Sequence, residues 1–213
     1  MTKPANNHLH NRKKEILLIA EEVFAQYSFA GATIRLITKR SGVNSAMISY
    51  YFGSKEALYF NIFMLRLEEI TEEISRFEQL DLNSAEKLKT YLTAYVKRIA
   101  SNQSFHRLLC NELVSMQHSS IIAQVSETRN RIYNFLLKVI TGGIAEGYFK
   151  KVDEEVCALN ILALVRLMVT DHLTSNIQLN KRPQQDFSCR VVNHIMSMIT
   201  PEDHHQFEIK NHV

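Results

Sequence analysis

Turn-forming residues are scarce in this chain. It has six glycines and three prolines in 213 residues, and with prolines only at Pro4, Pro183 and Pro201 the stretch from Ala5 to Arg182 has none. An all-β fold needs turn residues every 8 to 12 positions or so, and that class is excluded. Cysteine is equally sparse: Cys110, Cys157 and Cys189 are an odd number at wide spacing with no C-x-x-C pair, so neither a disulfide framework nor a cysteine zinc site is expected. The longest apolar runs, Ile16 to Ala20 and Ile161 to Val165, have five residues. A membrane-spanning helix needs roughly 18 or more. Glu15, Glu21 and Glu22 interrupt the first apolar segment, so no signal peptide is expected either. The expectation is a cytoplasmic protein with no membrane contact, no metal and no cofactor. No H-E-x-x-H, G-x-S-x-G, phosphate-cradling glycine loop or Cys-His pair at a telling spacing is present, which argues against an enzyme.

What is present is a folding composition, 46% hydrophobic and 22% charged, far from the depleted pattern of disordered chains. The net charge of +3 is small, but its distribution is uneven. Residues 1 to 60 hold eight Lys or Arg against four Glu, a net of +4, and the remaining 153 residues are near neutral. A basic front end on a neutral body is the electrostatic outline of a nucleic-acid-binding module.

Ile16, Ile19, Ala20, Val23, Phe24 and Tyr27 fall on one helical stripe, predicting a first helix from about Asn11 to about Tyr27. Thr33 is placed to cap a second helix, Ile34 to about Arg40, and Gly42 permits the positive φ that ends it. Asn44 then caps a two-turn third helix, Ser45 to Tyr51. Two such helices joined by a glycine turn form a helix-turn-helix, held by Phe24, Ile37, Val43 and Ile48. Ser54 caps a fourth helix running to about Phe77, whose run Glu68, Glu69, Glu72 and Glu73 reads as wet surface. Five more helices are expected, at about Ala85 to Ser101, Gln103 to Gln117, Ser120 to Glu146, Glu154 to Asn176 and Gln185 to Ile199. The fold class is all-α: a three-helix helix-turn-helix domain over residues 1–53, then a bundle of about six helices over 54–213. The tail with His204, His205 and His212 reads as a polar end.

The segment Ile19 to Leu58, IAEEVFAQYSFAGATIRLITKRSGVNSAMISYYFGSKEAL, resembles the DNA-binding domain of TetR-family transcriptional regulators. The resemblance lies in A-x-x-x-F at Ala20 and Phe24, G-A-T-I around Gly31 and Thr33, I-x-x-x-S-G-V from Ile37 to Val43, and Y-F-G-S-K-E-A-L from Tyr51 to Leu58. It departs at Ser28, where the family usually has Gly, at Thr38 and Ser41, where it usually has Ala, at Ala46, where it usually has Gly or a Pro-like small residue, and at Ser49, where it usually has Tyr; the first three read as packing positions where Ser or Thr costs little. The major groove, about 12 Å wide, accepts one helix, so base readout falls to Asn44, Ser45, Ala46, Met47 and Ser49, joined by Arg35. Thr33, Tyr50, Tyr51 and Lys55 are the expected phosphate clamp.

The resemblance also implies a homodimer through the last two long helices and a palindromic operator in double-stranded DNA. Their apolar faces are Val156, Leu159, Ala163, Leu164 and Leu167, and Phe187, Val191, Ile195 and Met198. A small-molecule effector is expected between helices of the body, among Met64, Tyr95, Phe105, Leu109, Met116, Phe135 and Met168, with Asp171 and His172 as polar groups. The leading expectation is a repressor released by that effector. The alternatives are control by a protein partner, and a helical enzyme.

Overall fold

The computed structural model describes the backbone of residues 4–174 and 184–201, and the side chains of 11–164 and 189–201. Among the described residues there are nine helices and no strand: α1 Pro4–Gly31, α2 Ile34–Ser41, α3 Ser45–Phe52, α4 Lys55–Gln79, α5 Ser84–Ser101, α6 Gln103–Ser115, α7 Ser119–Ala145, α8 Glu154–Thr174 and α9 Gln184–Ile199. The expected helices are all present, with ends shifted by a few residues; α1 begins earlier than its apolar stripe, and its continuous run ends as expected at Tyr27, because the span to Gly31 is interrupted by a non-helical Ser28.

The starts follow from capping. Thr33 Oγ1 accepts from the Leu36 N–H at 3.2 Å, Asn44 Oδ1 from Met47 at 2.8 Å and Ser54 Oγ from Ala57 at 3.1 Å. Asn83 and Asp153 do the same for α5 and α8, accepting from Glu86 and Val156, each at 2.9 Å. Each cap satisfies a donor that the first helical turn leaves without an internal partner. Helix α2 stops at Gly42, whose φ of 67° is left-handed and whose N–H reaches Thr38 O.

Ser28 corrects the sequence reading. It sits at φ 59°, ψ 173°, inside the span of α1, and breaks the helix there. That region of backbone space is essentially reserved for glycine, so this is a strained backbone position and not a packing site tolerant of a hydroxyl.

The chain packs as two compact units. The first comprises Met1–Ile70 and Asn102–Ser126; within it α1 packs on α2 and α6, and α2 on α3. Phe24, Ile37, Val43 and Ile48 are all buried, as the short helices require. The second comprises Thr71–Ser101 and Glu127–Val213, and in it α5 packs on α9. Its core takes Leu88, Tyr91, Leu92 and Val96 from α5, Phe135, Leu136, Val139 and Ile140 from α7, and Val192, Ile195 and Ile199 from α9. Glu146 accepts from both the backbone N–H and the hydroxyl of Ser84, at 3.2 and 2.9 Å, fixing the end of α7 to the start of α5.

Some of the seam residues must also serve the intramolecular core, and Ile195, only 2% exposed, is one of these, not part of an outward seam. Val156 and Leu159 of α8 and Met198 of α9 are exposed, as is Ala163, whereas Leu164 and Val191 are intermediate. Leu167 and Phe187 lie outside the described side chains. No described helix is long and apolar enough to cross a membrane.

Candidate nucleic-acid interface

Helix α3 has eight residues, about 12 Å at 1.5 Å per residue. Its inner face is anchored by Ile48 and Phe52, both buried, and its outer face presents Ser45, Ala46, Ser49 and Tyr50, all exposed. Arg35 on α2 is also exposed, while Met47 is half-buried and so divided between core and surface. Asn44 is exposed, but its side-chain oxygen is engaged in the α3 cap. A two-pronged adenine contact needs that oxygen as well as the amide, and with one lone pair held by the cap Asn44 keeps a single acceptor site beside its N–H donors.

The four residues expected to clamp phosphate differ in exposure and contacts. Thr33 is exposed, and its hydroxyl, already accepting from Leu36, retains its proton for donation. Tyr50 is 78% exposed and meets Tyr51 edge-on, with ring centres 5.4 Å apart. Tyr51 is half-buried, with its ring 6.1 Å from that of Phe52. Lys55 Nζ lies 4.5 Å from the centre of the Phe29 ring, a cation–π contact that holds the ammonium in place.

Two further cations escaped the sequence reading. Lys13 Nζ lies 5.5 Å from the Phe52 ring, at the end of α3, and the basic run Arg12-Lys13-Lys14 was the available signal. Arg40 donates to Gln26 Oε1 at 2.5 Å and sits 5.6 Å from the Tyr27 ring, tying α2 to α1.

Ion pairs join α1 to α4 in the first unit. Arg66 donates through Nε and one terminal nitrogen to both oxygens of Glu21, at 2.8 and 3.0 Å, and through the other to Glu69 at 3.1 Å. Lys14 also reaches Glu69, at 2.8 Å. A two-pronged guanidinium–carboxylate pair fixes orientation as well as distance, so α1 is registered on α4. Glu69 is therefore no freely solvated acid. Glu73 likewise pairs with Arg98 in the second unit, and only Glu68 and Glu72 of the acidic run stay exposed.

A buried carboxylate is the other feature missed. Glu112, 2% exposed on α6, accepts from the Tyr59 hydroxyl at 3.3 Å and from the His118 backbone N–H at 2.8 Å, with His118 Nδ1 2.9 Å away. Burial pushes the Tyr59 hydroxyl well above its ordinary pKa, and the charge of Glu112 adds to it. Phe29 completes the cluster, with ring centres 5.0 Å from Tyr59 and 4.8 Å from His118. Residues more than 80 apart in sequence meet here, so no local pattern announced it.

The effector candidates divide between the units. Met64, Phe105, Leu109 and Met116 belong to the first. Phe105 is buried against Phe63, ring centres 5.6 Å apart, and Met64 and Leu109 are half-buried. Met116 adopts φ 54° at the end of α6 and is 59% exposed, and it ends α6 short of Gln117. Tyr95 and Phe135 belong to the second unit, where both pack on Tyr91. The side chains of Met168, Asp171 and His172 lie outside the described residues.

Comparison with known proteins agrees with this architecture. Residues 16–62 match the family model "Bacterial regulatory proteins, tetR family", and residues 81–170 match that of the "Tetracyclin repressor-like, C-terminal domain". The chain is 24% identical over 161 residues to the uncharacterized HTH-type transcriptional regulator YhgD of Bacillus subtilis, covering 76% of this chain and 84% of that one. It is 27% identical over 161 residues to the HTH-type transcriptional repressor NicS of Pseudomonas putida, covering 72% and 71%. The solved structure of FadR from Bacillus subtilis, in complex with stearoyl-CoA, superposes with a TM-score of 0.66 at 22% identity, over 86% of this chain and 97% of that chain. The helix-turn-helix face, its helical body and both family matches converge: this chain belongs to the tetR family of bacterial regulatory proteins and is a DNA-binding transcriptional regulator.

Proposed function

We propose that the protein is a cytoplasmic, dimeric repressor that binds a palindromic operator and is released by a small molecule bound in its helical body. The observation carrying this reading is the α3 face: a capped helix with Ile48 buried beneath and Ser45, Ala46, Ser49 and Tyr50 exposed above, flanked by Arg35 and Lys55. In this reading residues 1–53 are the functional DNA-binding segment and 54–213 the effector and dimerisation segment, even though compact packing groups the chain differently.

A single short reading helix distinguishes few base pairs, and two-fold pairing doubles the site. The exposed Val156, Leu159 and Ala163 of α8, with Met198 of α9, are the surface assigned to that pairing. The relatives are regulators, which supports regulation over catalysis. Stearoyl-CoA bound to the FadR of similar fold is a precedent for effector control, favouring it over control by a protein partner.

The test separates clamp from readout on operator fragments selected from genomic DNA. Lys55→Ala should weaken binding to every sequence and reduce the salt slope by about one unit, since log K falls by roughly 0.9 per neutralised phosphate. Arg35→Ala should relax preference at one base-pair step, by about 1–3 kcal/mol for a two-pronged contact. Uniform loss on all sequences for both variants would reassign Arg35 to the backbone.

A further inference from the structure

Tyr91 lies at the centre of the second unit, fully buried, with its ring 5.5 Å from Phe77, 5.6 Å from Tyr95 and 4.7 Å from Phe135. Its hydroxyl has no hydrogen-bond partner among the described residues. A buried tyrosine hydroxyl normally finds one, because desolvating it without compensation is costly. Phenylalanine would make the same ring contacts without that cost, so it is the hydroxyl that calls for a purpose.

The surroundings indicate its nature. Tyr91, Tyr95 and Arg98 are spaced i, i+4, i+7 and so share one face of α5. The Arg98 guanidinium lies 4.9 Å from the Tyr95 ring and pairs with Glu73, and both of these charged side chains keep only a narrow exposed edge. Burial pushes the Tyr95 hydroxyl up to about 12 in spite of the nearby cation Arg129. Glu73 and Phe77 are one turn apart on α4, so three helices bring together an aromatic wall, a donor with no partner among the described residues and an exchangeable ion pair.

We propose that this cluster is the effector site and that its ligand is an apolar carboxylate with an aromatic or alkyl body: the body packs on Phe77, Tyr95 and Phe135, an acceptor oxygen takes the Tyr91 hydroxyl, and the carboxylate takes Arg98 from Glu73. A carboxylate only accepts hydrogen bonds and matches the planar fork of arginine, which suits both donors. Because Glu73 belongs to α4, the exchange also removes a tie between α4 and α5, giving ligand binding a structural consequence. This inference rests on the ligand-released reading above, of which it names the site and the chemical class.

The experiment uses the full chain with trans-cinnamate and decanoate as probes, and cinnamyl alcohol and decanol as neutral counterparts. Calorimetry should show both acids, or one of them, binding at least tenfold tighter than the matching alcohol. Tyr91→Phe should weaken the acid by about tenfold or more, the scale of a hydrogen bond to a charged group, while leaving the melting temperature equal or higher. Glu73→Gln, which removes the competitor, should tighten acid binding. Absence of acid binding at millimolar concentration, equal affinity for acid and alcohol, or a Tyr91→Phe variant that melts earlier with unchanged binding would each overturn the proposal; the last assigns the hydroxyl a structural role. Operator affinity measured alongside keeps the two readings apart. If the acids bind as described but operator affinity does not respond, the site stands and release by this ligand fails. If another molecule releases operator equally from wild type, Tyr91→Phe and Glu73→Gln, release stands and the site fails.

Discussion

Replacing Ser28 with glycine should make the protein more stable, although it deletes a side chain from a helical segment. At φ 59°, ψ 173° the Cβ of a non-glycine residue crowds its own backbone, at a cost of about 1–3 kcal/mol. Against the gain stands the extra freedom of glycine in the unfolded chain, about 0.4–1 kcal/mol. The balance is a stabilisation of up to about 2.6 kcal/mol, about 1.3 kcal/mol at mid-range, which for a chain of this size raises Tm by about 3–5 °C at mid-range. Urea unfolding at fixed protein concentration should show the midpoint rising at constant slope, the signature of altered stability without altered compactness. Ser28→Ala is the control, because it removes the hydroxyl but keeps the Cβ and the strain, and it should gain nothing. The reasoning is refuted if Ser28→Gly is neutral or destabilising, or if Ser28→Ala gains as much. DNA affinity should survive, since the Ser28 carbonyl still accepts from the Ala32 N–H and Phe29 still packs on Phe24 and Tyr59 beneath Lys55.

The opposite outcome is expected at Gly143, where an added Cβ would collide with the buried Phe149 ring: Gly143→Ala should destabilise by about 1–3 kcal/mol or more, read by the same urea curves. Leu159→Glu, on the exposed face of α8, should yield a folded monomer by sedimentation, whereas Ile195→Glu, in the core, should lose helical circular dichroism; a folded dimer from Leu159→Glu would move the interface elsewhere. Burial pushes the Glu69 carboxyl up, but Lys14 and Arg66 more than offset it and hold it below its ordinary 4.5. A lowered folded-state value means the stabilisation is present above the unfolded value and is lost as pH falls through the folded one. Lys14→Met should therefore narrow its stability gap to wild type as pH drops below about 4, and a constant gap would show the pair to be electrostatically idle.

Much of the fold was legible because its causes are local. A 3.6-residue apolar period marks a helix wherever it occurs, and Thr33, Asn44 and Ser54 cap the helices that follow them through bonds spanning three residues. The motif from Ile19 to Leu58 is equally local, which is why a candidate reading face could be drawn from the string alone. The tertiary structure decided whatever depends on distant partners or on absolute burial. Periodicity says that Ile195 and Leu159 each lie on an apolar stripe, but only packing shows that one is enclosed by its own chain and the other left open. An acidic run reads as solvated until Arg66 and Arg98 are seen opposite Glu69 and Glu73. The carboxylate of Glu112 meets Tyr59, and the hydroxyl of Tyr91 meets no partner among the described residues, because of how helices from separate parts of the chain converge, and backbone strain at Ser28 depends on a dihedral angle that composition does not encode.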